Sequence, residues 1–148
     1  MTIEERVDKE MKEAAKARDA VTLSTLRLVR AAFHNKEIEL RRKLKDQEIL
    51  QVLSSMAKQR SDSIEQFARG GRDDLVQKET RELAIIKTFM PEEMTEEEMR
   101  AAIAKAIADT EASGIKDMGA VMKVLMPIIT GKADGKVVSG MVREFLNG

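Results

Sequence analysis

Residues 130–146 read TGKADGKVVSGMVREFL, and the pairs Gly131-Lys132 and Gly135-Lys136 come nearer to a phosphate-binding loop than anything else in this chain. In a loop of the form GxxxxGK[ST], backbone amides cradle phosphates and a hydroxyl holds magnesium. The pattern fails here, because Thr130 stands where the first glycine is required, Val137 replaces the hydroxyl, and no strand-like run precedes. A simpler arrangement remains open. Asp134 reads as the N-cap of a helix, and lysines beside a helix amino end are well placed to meet an anion.

Other catalytic pairings are scarce. The single histidine, His34, lies mid-helix without an acid at triad geometry, and a lone imidazole is a poor zinc site when cysteine is absent. The acidic runs Glu92-Glu93 and Glu96-Glu97-Glu98 sit where a helix begins, and the helix dipole accounts for them as capping charge. The expectation is a chain that leans towards no enzymatic activity, with no catalytic residue, no metal and no cofactor. A second basic group is more suggestive. Arg27, Arg30, His34, Arg41 and Lys45 fall within about 60° of one another on a helix of 100° per residue, beside its apolar stripe. Such a face suits a phosphate backbone or an acidic partner, and long basic side chains also simply flank a core face. There is no Trp or Tyr. Phe33, Phe67, Phe89 and Phe145 all take inward positions, which leaves no stacking platform for bases.

The elements that must position these residues are helical throughout. A first helix opens with the capping box Thr2 to Glu5, carries Ile3, Val7, Met11 and Ala14 on one face, and breaks near Asp19. A second runs from about Val21 to Lys45, with Leu26, Val29, Phe33, Leu40 and Leu44 inward and Glu37/Arg41 and Glu39/Lys43 as supporting pairs. Asp46 reads as the next cap. The third helix carries Ile49, Leu53, Met56, Ile64 and Phe67 and stops at Gly70-Gly71, one of which is expected to be left-handed. Asp74 reads as the cap of a fourth helix whose Leu75, Glu79, Leu83, Ile86 and Phe89 lead to Pro91, with Arg72 expected to pair with Glu79 or Glu82. Pro91 marks the best boundary.

Beyond it, Thr95 and Glu98 form a second capping box for a helix with Met99, Ile103, Ala106, Ile107 and Thr110 inward, closed by Ser113-Gly114. Two short helices follow, one from Asp117 with a kink near Pro127 and an end at Gly131, the other from Asp134 with Val138, Val142 and Phe145 inward. The expected architecture is all-α, a bundle of about four helices over 1–90 and a three-helix domain over 91–148.

Composition bounds the function. The chain has 148 residues, with 26 basic against 26 acidic ones. A general polyanion binder would be more basic, so any contact with nucleic acid must be local. Residues 91–118 carry 3 basic and 8 acidic side chains, whereas 119–148 carry 4 and 2. No segment approaches the ~18 apolar residues of a membrane span, and the start lacks an apolar export segment. With no cysteine, a cytoplasmic, non-membrane protein is the expectation.

Several blocks in order, KQRSDSIEQF (58–67), GGRDDLVQKETREL (70–83), MPEEMT (90–95), DMGAVMKVLMP (117–127) and GKADGKVVSGMV (131–142), resemble the GatB/YqeY family over essentially the whole chain. The C-terminal part is similar to the tail of the B subunit of the glutamine-dependent aspartyl/glutamyl-tRNA amidotransferase, a carbon-nitrogen ligase whose tail contacts tRNA while catalysis occurs elsewhere. The resemblance implies tRNA recognition without chemistry, near an amidotransferase or an aminoacyl-tRNA synthetase. It puts Gly119, Met122, Gly131, Lys132, Gly135 and Lys136 on matching positions, the glycines for turns and close helix packing and the lysines for contact. Lys123 and Arg143 are the neighbouring cations. The alternative reading is a helical protein-protein adaptor that binds no nucleic acid.

Overall fold

The computed structural model describes residues 1–147 and is all-α. Its elements are α1 (Ile3–Ala17), α2 (Ala20–Leu40), α3 (Asp46–Arg69), α4 (Asp73–Lys87), α5 (Glu96–Thr110), a short 3-10 turn at Ile115–Asp117, α6 (Met118–Ile129) and α7 (Gly135–Asn147). No strand occurs among the described residues. The chain divides into two compact units, Met1–Met90 and the part from Pro91 onward.

In the first unit α1 opens with a complete capping box. The Thr2 hydroxyl accepts the Glu5 amide, and the Glu5 carboxylate accepts the Thr2 amide, each at 3.1 Å. The core takes Val7 from α1, Leu26, Val29 and Phe33 from α2, Ile49, Leu53 and Met56 from α3, and Ile86 from α4. α3 and α4 form an αα-hairpin around Gly70–Arg72, and α2 packs on both. Arg6 reaches across to the end of α4, where its guanidinium lies 5.0 Å from the Phe89 ring centre and donates to the Thr88 carbonyl at 3.1 Å. Burial of the hairpin's apolar seam, rather than helix propensity, holds these elements together.

Several expectations are corrected here. α2 ends at Leu40, because Arg41 turns into the left-handed region at φ 57° and its amide closes back on Glu37 and Ile38. Leu44 still reaches the core, but from the α2–α3 turn. The helical stripe therefore loses Arg41 and Lys45: Arg41 terminates the helix and Lys45 is the N-cap residue of α3, one residue before the expected Asp46. The acid-base pairs shift with it. Glu37 faces Lys43 at 3.7 Å, and Glu39 faces Lys36 at 3.3 Å. Arg42 meets Glu48 through two hydrogen bonds of 2.7 and 2.8 Å.

At the hairpin corner Gly71 is the left-handed glycine, at φ 71°, while Gly70 has an ordinary φ of −83°. Arg72 pairs with Asp74, at 3.2 and 3.1 Å, and not with Glu79 or Glu82. Glu79 and Glu82 lie further up α4, about 10 and 15 Å along its axis and out of reach of Arg72. Glu82 instead faces Arg60 on α3. Arg72, not Asp74, is the N-cap residue of α4.

In the second unit, buried Ile103 and Ala106 of α5, Val121, Leu125 and Ile129 of α6, and Val138 and Val142 of α7 form one core. Thr95 caps α5 by accepting the Glu98 amide at 3.1 Å. α5 closes earlier than expected, on left-handed Glu111 at φ 54°, whereas Gly114 is extended. The Asp117 carboxylate accepts the Ser113 amide at 2.9 Å and so ties the turn before α6. α6 runs on through Pro127 to Ile129.

Candidate functional site

The joint between α6 and α7 is built from backbone outward. α6 gives out at Thr130, whose hydroxyl and amide both donate to the Met126 carbonyl. Gly131 then takes the left-handed conformation at φ 78°. Only glycine enters that region at little cost, which is why it follows a helix end. The turn tightens at once, with the Lys132 and Ala133 amides both donating to the Ile129 carbonyl, at 2.8 and 2.9 Å. A residue not singled out by sequence locks it from outside: the Met94 amide donates to the Lys132 carbonyl at 2.9 Å. No local pattern around Met94 signals this bond, since its partner lies 38 residues away.

The α7 end of the joint is a cap. Asp134 accepts the Lys136 amide on its side chain at 2.9 Å and the Val138 amide on its carbonyl at 3.1 Å. The Lys132 and Lys136 side chains are left exposed on either side of this cap. Val138 and Val142 bury one face of α7, and Lys136 and Arg143, seven residues apart, share the opposite one. The rise over seven residues is about 10 Å. Exposed Gly140 lies between them with open space where a Cβ would stand, so nothing shields the gap between the two cations. Lys123 is exposed on α6, opposite the buried Val121–Leu125–Ile129 stripe.

These four cations are every basic residue of 119–148. None of them forms an ion pair within the described residues, and the one carboxylate built into the joint is the Asp134 cap. The arrangement offers positive charge to an anion. Among the described residues no group of three or more His, Asp or Glu side chains comes together to hold a metal ion. Nor is any helix among the described residues long and apolar enough to cross a membrane.

Two expectations about glycine are corrected. Gly119 and Gly135 do not mediate close helix packing, because a Cβ added at either would meet nothing within 4 Å. Gly119 lies at the start of α6 and Gly135 at the start of α7.

The second basic group is partly dispersed. Arg27 and Arg30 are exposed on α2, and Arg30 leans on Asp8 of α1 at 3.5 Å. His34 is exposed in the next turns, whereas Arg41 and Lys45 belong to the turn after α2.

Comparison with known proteins adds four findings. A family model described as "Yqey-like protein" matches residues 4–146. The chain is 40% identical over 82 residues to "Altered inheritance of mitochondria protein 41, mitochondrial" of Eremothecium gossypii, covering 55% of this chain and 45% of that protein. It is 28% identical over 137 residues to the protein of the same name from Kluyveromyces lactis, covering 90% and 70% respectively. A Saccharomyces cerevisiae protein of that name is 39% identical over 82 residues, 55% of this chain and 44% of its own length. The matched part thus spans somewhat under half of the first and third of these relatives. Their names overturn the cytoplasmic expectation, which rested on missing cysteine and a missing apolar export segment. Relatives named as mitochondrial match this chain all the same, so neither feature separates cytoplasm from mitochondrion.

Proposed function

Because this chain belongs to the Yqey-like protein family, we propose that it is a non-catalytic tRNA-binding accessory module whose C-terminal unit contacts phosphates through Lys132 and Lys136, with help from Lys123 and Arg143. Its place is beside tRNA-dependent amidation or aminoacylation, with a tRNA amidotransferase or an aminoacyl-tRNA synthetase as neighbour. One observation carries the reading: every cation of 119–148 is exposed and forms no ion pair among the described residues, and Lys132 and Lys136 flank a glycine turn that feeds a helix amino end. Surface lysines that serve only solubility have no need of such a framework. Phosphate contacts of this kind position a nucleic acid without reading its sequence, which agrees with the absence of exposed aromatic side chains.

The test is an anisotropy titration of folded tRNA against wild type, a Lys132→Ala/Lys136→Ala variant and an Arg27→Ala/Arg30→Ala variant. Loss of binding in the first variant only supports the joint as the contact surface. Loss in the second only moves the contact to α2. Absence of binding by wild type at low salt ends the tRNA reading and leaves the protein-protein adaptor.

A further inference from the structure

The buried stripe of α2 accounts for only one of its faces. On the opposite face six exposed residues, Val21, Ser24, Leu28, Ala31, Asn35 and Ile38, recur at intervals of three, four, three, four and three. This spacing keeps all six on one face, as the seam of two paired helices requires, with Val21, Leu28 and Asn35 at a positions and Ser24, Ala31 and Ile38 at d positions. No charge interrupts the seam. Val21, Leu28 and Ile38 are 38%, 47% and 62% exposed, three of the largest apolar side chains left in water by the first unit. Nothing in that unit covers them, and the α2 core stripe does not require them.

From these observations we infer that α2 is a self-association surface, and that two copies of this chain pair through parallel, in-register α2 helices. The seam's own chemistry selects the occupant and its direction. In a parallel pair, Asn35 meets Asn35 of the second copy, the arrangement in which a single polar a residue sets register and restricts the assembly to two strands. Ser24 and Ala31 are small enough to let the backbones approach. The flanking positions agree: His34 at g comes beside Glu39 at e of the second copy, and Arg27 comes beside uncharged Ala32. An antiparallel pair would instead set the Arg27–His34 edge against itself. Glu39 already accepts from Lys36 at 3.3 Å and 3.4 Å on the solvent side, which leaves further lone pairs for the second copy.

The seam also bounds the strength of the pair. A helix of 21 residues is about 30 Å long, and one contact of that length falls within the small, transient class of interface below roughly 1,200 Å². The dimer is therefore a weak one, with a dissociation constant on the order of 0.1 mM. Pairing would put two C-terminal units in one particle, so two weak anion contacts act together on one or two ligands. This inference is independent of the tRNA reading and survives its failure.

Sedimentation of wild type from about 10 μM to about 1 mM tests it, a range that brackets the expected constant. A monomer-dimer shift in wild type that disappears in Leu28→Glu/Ile38→Glu, with helicity unchanged, is the expected result. Direction is read by disulfide trapping, which is clean because the chain has no cysteine. Asn35→Cys should cross-link to itself under mild oxidation at least about tenfold faster than Lys12→Cys on the exposed side of α1, since only the seam holds the two sulfurs within bonding distance. Three results would overturn the inference: wild type monomeric up to about 1 mM, a dimer that persists in the double glutamate variant, or cross-linking that occurs only between Leu28→Cys and Ile38→Cys chains in a mixture.

Discussion

The Arg60 guanidinium faces the Glu82 carboxylate at 3.5 Å between α3 and α4, with both side chains nearly out of water, 13% and 10% exposed. The pair caps one end of the first unit's core. Buried apolar residues of α3 stop at Ala57 and those of α4 begin at Ile86. The geometry is imperfect, because the buried Arg60 Nε makes no hydrogen bond, and Nη1 reaches only the Met56 carbonyl at 3.4 Å.

Removing one partner strands a charge in a poorly solvated site, so Arg60→Ala or Glu82→Ala should each cost about 3 kcal/mol. Replacing both, as Arg60→Met with Glu82→Leu, should recover most of that loss, because two desolvation penalties vanish together. Urea unfolding of the four proteins checks this. A double variant as unstable as the singles would show that the pair stabilises the fold outright.

Three helices end on a non-glycine residue in the left-handed region: Arg18 at φ 56°, Arg41 at 57° and Glu111 at 54°. Glycine at each should stabilise by about 0.5–1 kcal/mol, since it removes the Cβ clash at a C-terminal position. The reverse holds at the α3–α4 corner. Gly71→Val should destabilise by about 1 kcal/mol or more, while Gly70→Ala, whose Cβ would stand 3.6 Å from the Gln66 carbonyl oxygen, should change little. Thermal melts of the five variants read all of this, and equal effects at Gly70 and Gly71 would contradict it.

Acid should weaken the α2–α3 turn through Glu48. The Arg42 side chain first, and then the Lys45 amide at 2.8 Å, hold its carboxyl down at about 2, below the ordinary 4.5. A folded-state pKa below the unfolded one contributes stability that is complete above pH 4.5 and drains away as pH falls from 4.5 towards 2. Glu48→Gln should thus be less stable than wild type at neutral pH and converge with it near pH 2. A gap between the two that stays constant with pH would refute the assignment. Glu4 has the opposite sign. Its partial burial, and then Glu37, raise its pKa, so Glu4→Gln should gain stability at neutral pH and lose that advantage in acid.

Binding of tRNA through the α6–α7 joint should be modest and strongly salt-dependent. With about two to four phosphates neutralised, log K should fall against log salt with a slope of roughly −2 to −4, and loss of either Lys132 or Lys136 should reduce the slope by about 1. Gly140→Glu would set a negative charge between Lys136 and Arg143 on open surface, and should weaken binding without loss of helicity. Titrations at three salt concentrations distinguish these outcomes. Gly140→Glu binding as tightly as wild type would remove the Lys136–Arg143 face from the contact.

Much of the fold was legible because it is locally encoded. Thr2 and Thr95 announce helix starts through their own hydroxyls, and Leu26, Val29 and Phe33 repeat on one face because an amphipathic helix must bury a stripe. Gly131 at the end of α6 was readable for the same reason, as was the Asp134 cap. What sequence could not decide was which candidate partner the folded chain brings to each side chain. Leu44 keeps the helical spacing from Leu40, yet Arg41 turns the chain and Leu44 enters the core from a loop. Arg72 pairs with Asp74 beside it, while Glu82, further along α4, faces Arg60 of α3. The Met94–Lys132 bond and the exposure of the second α2 face are likewise products of packing. A periodic pattern names the faces of a helix, but only the tertiary structure decides which face is covered and which is left in water.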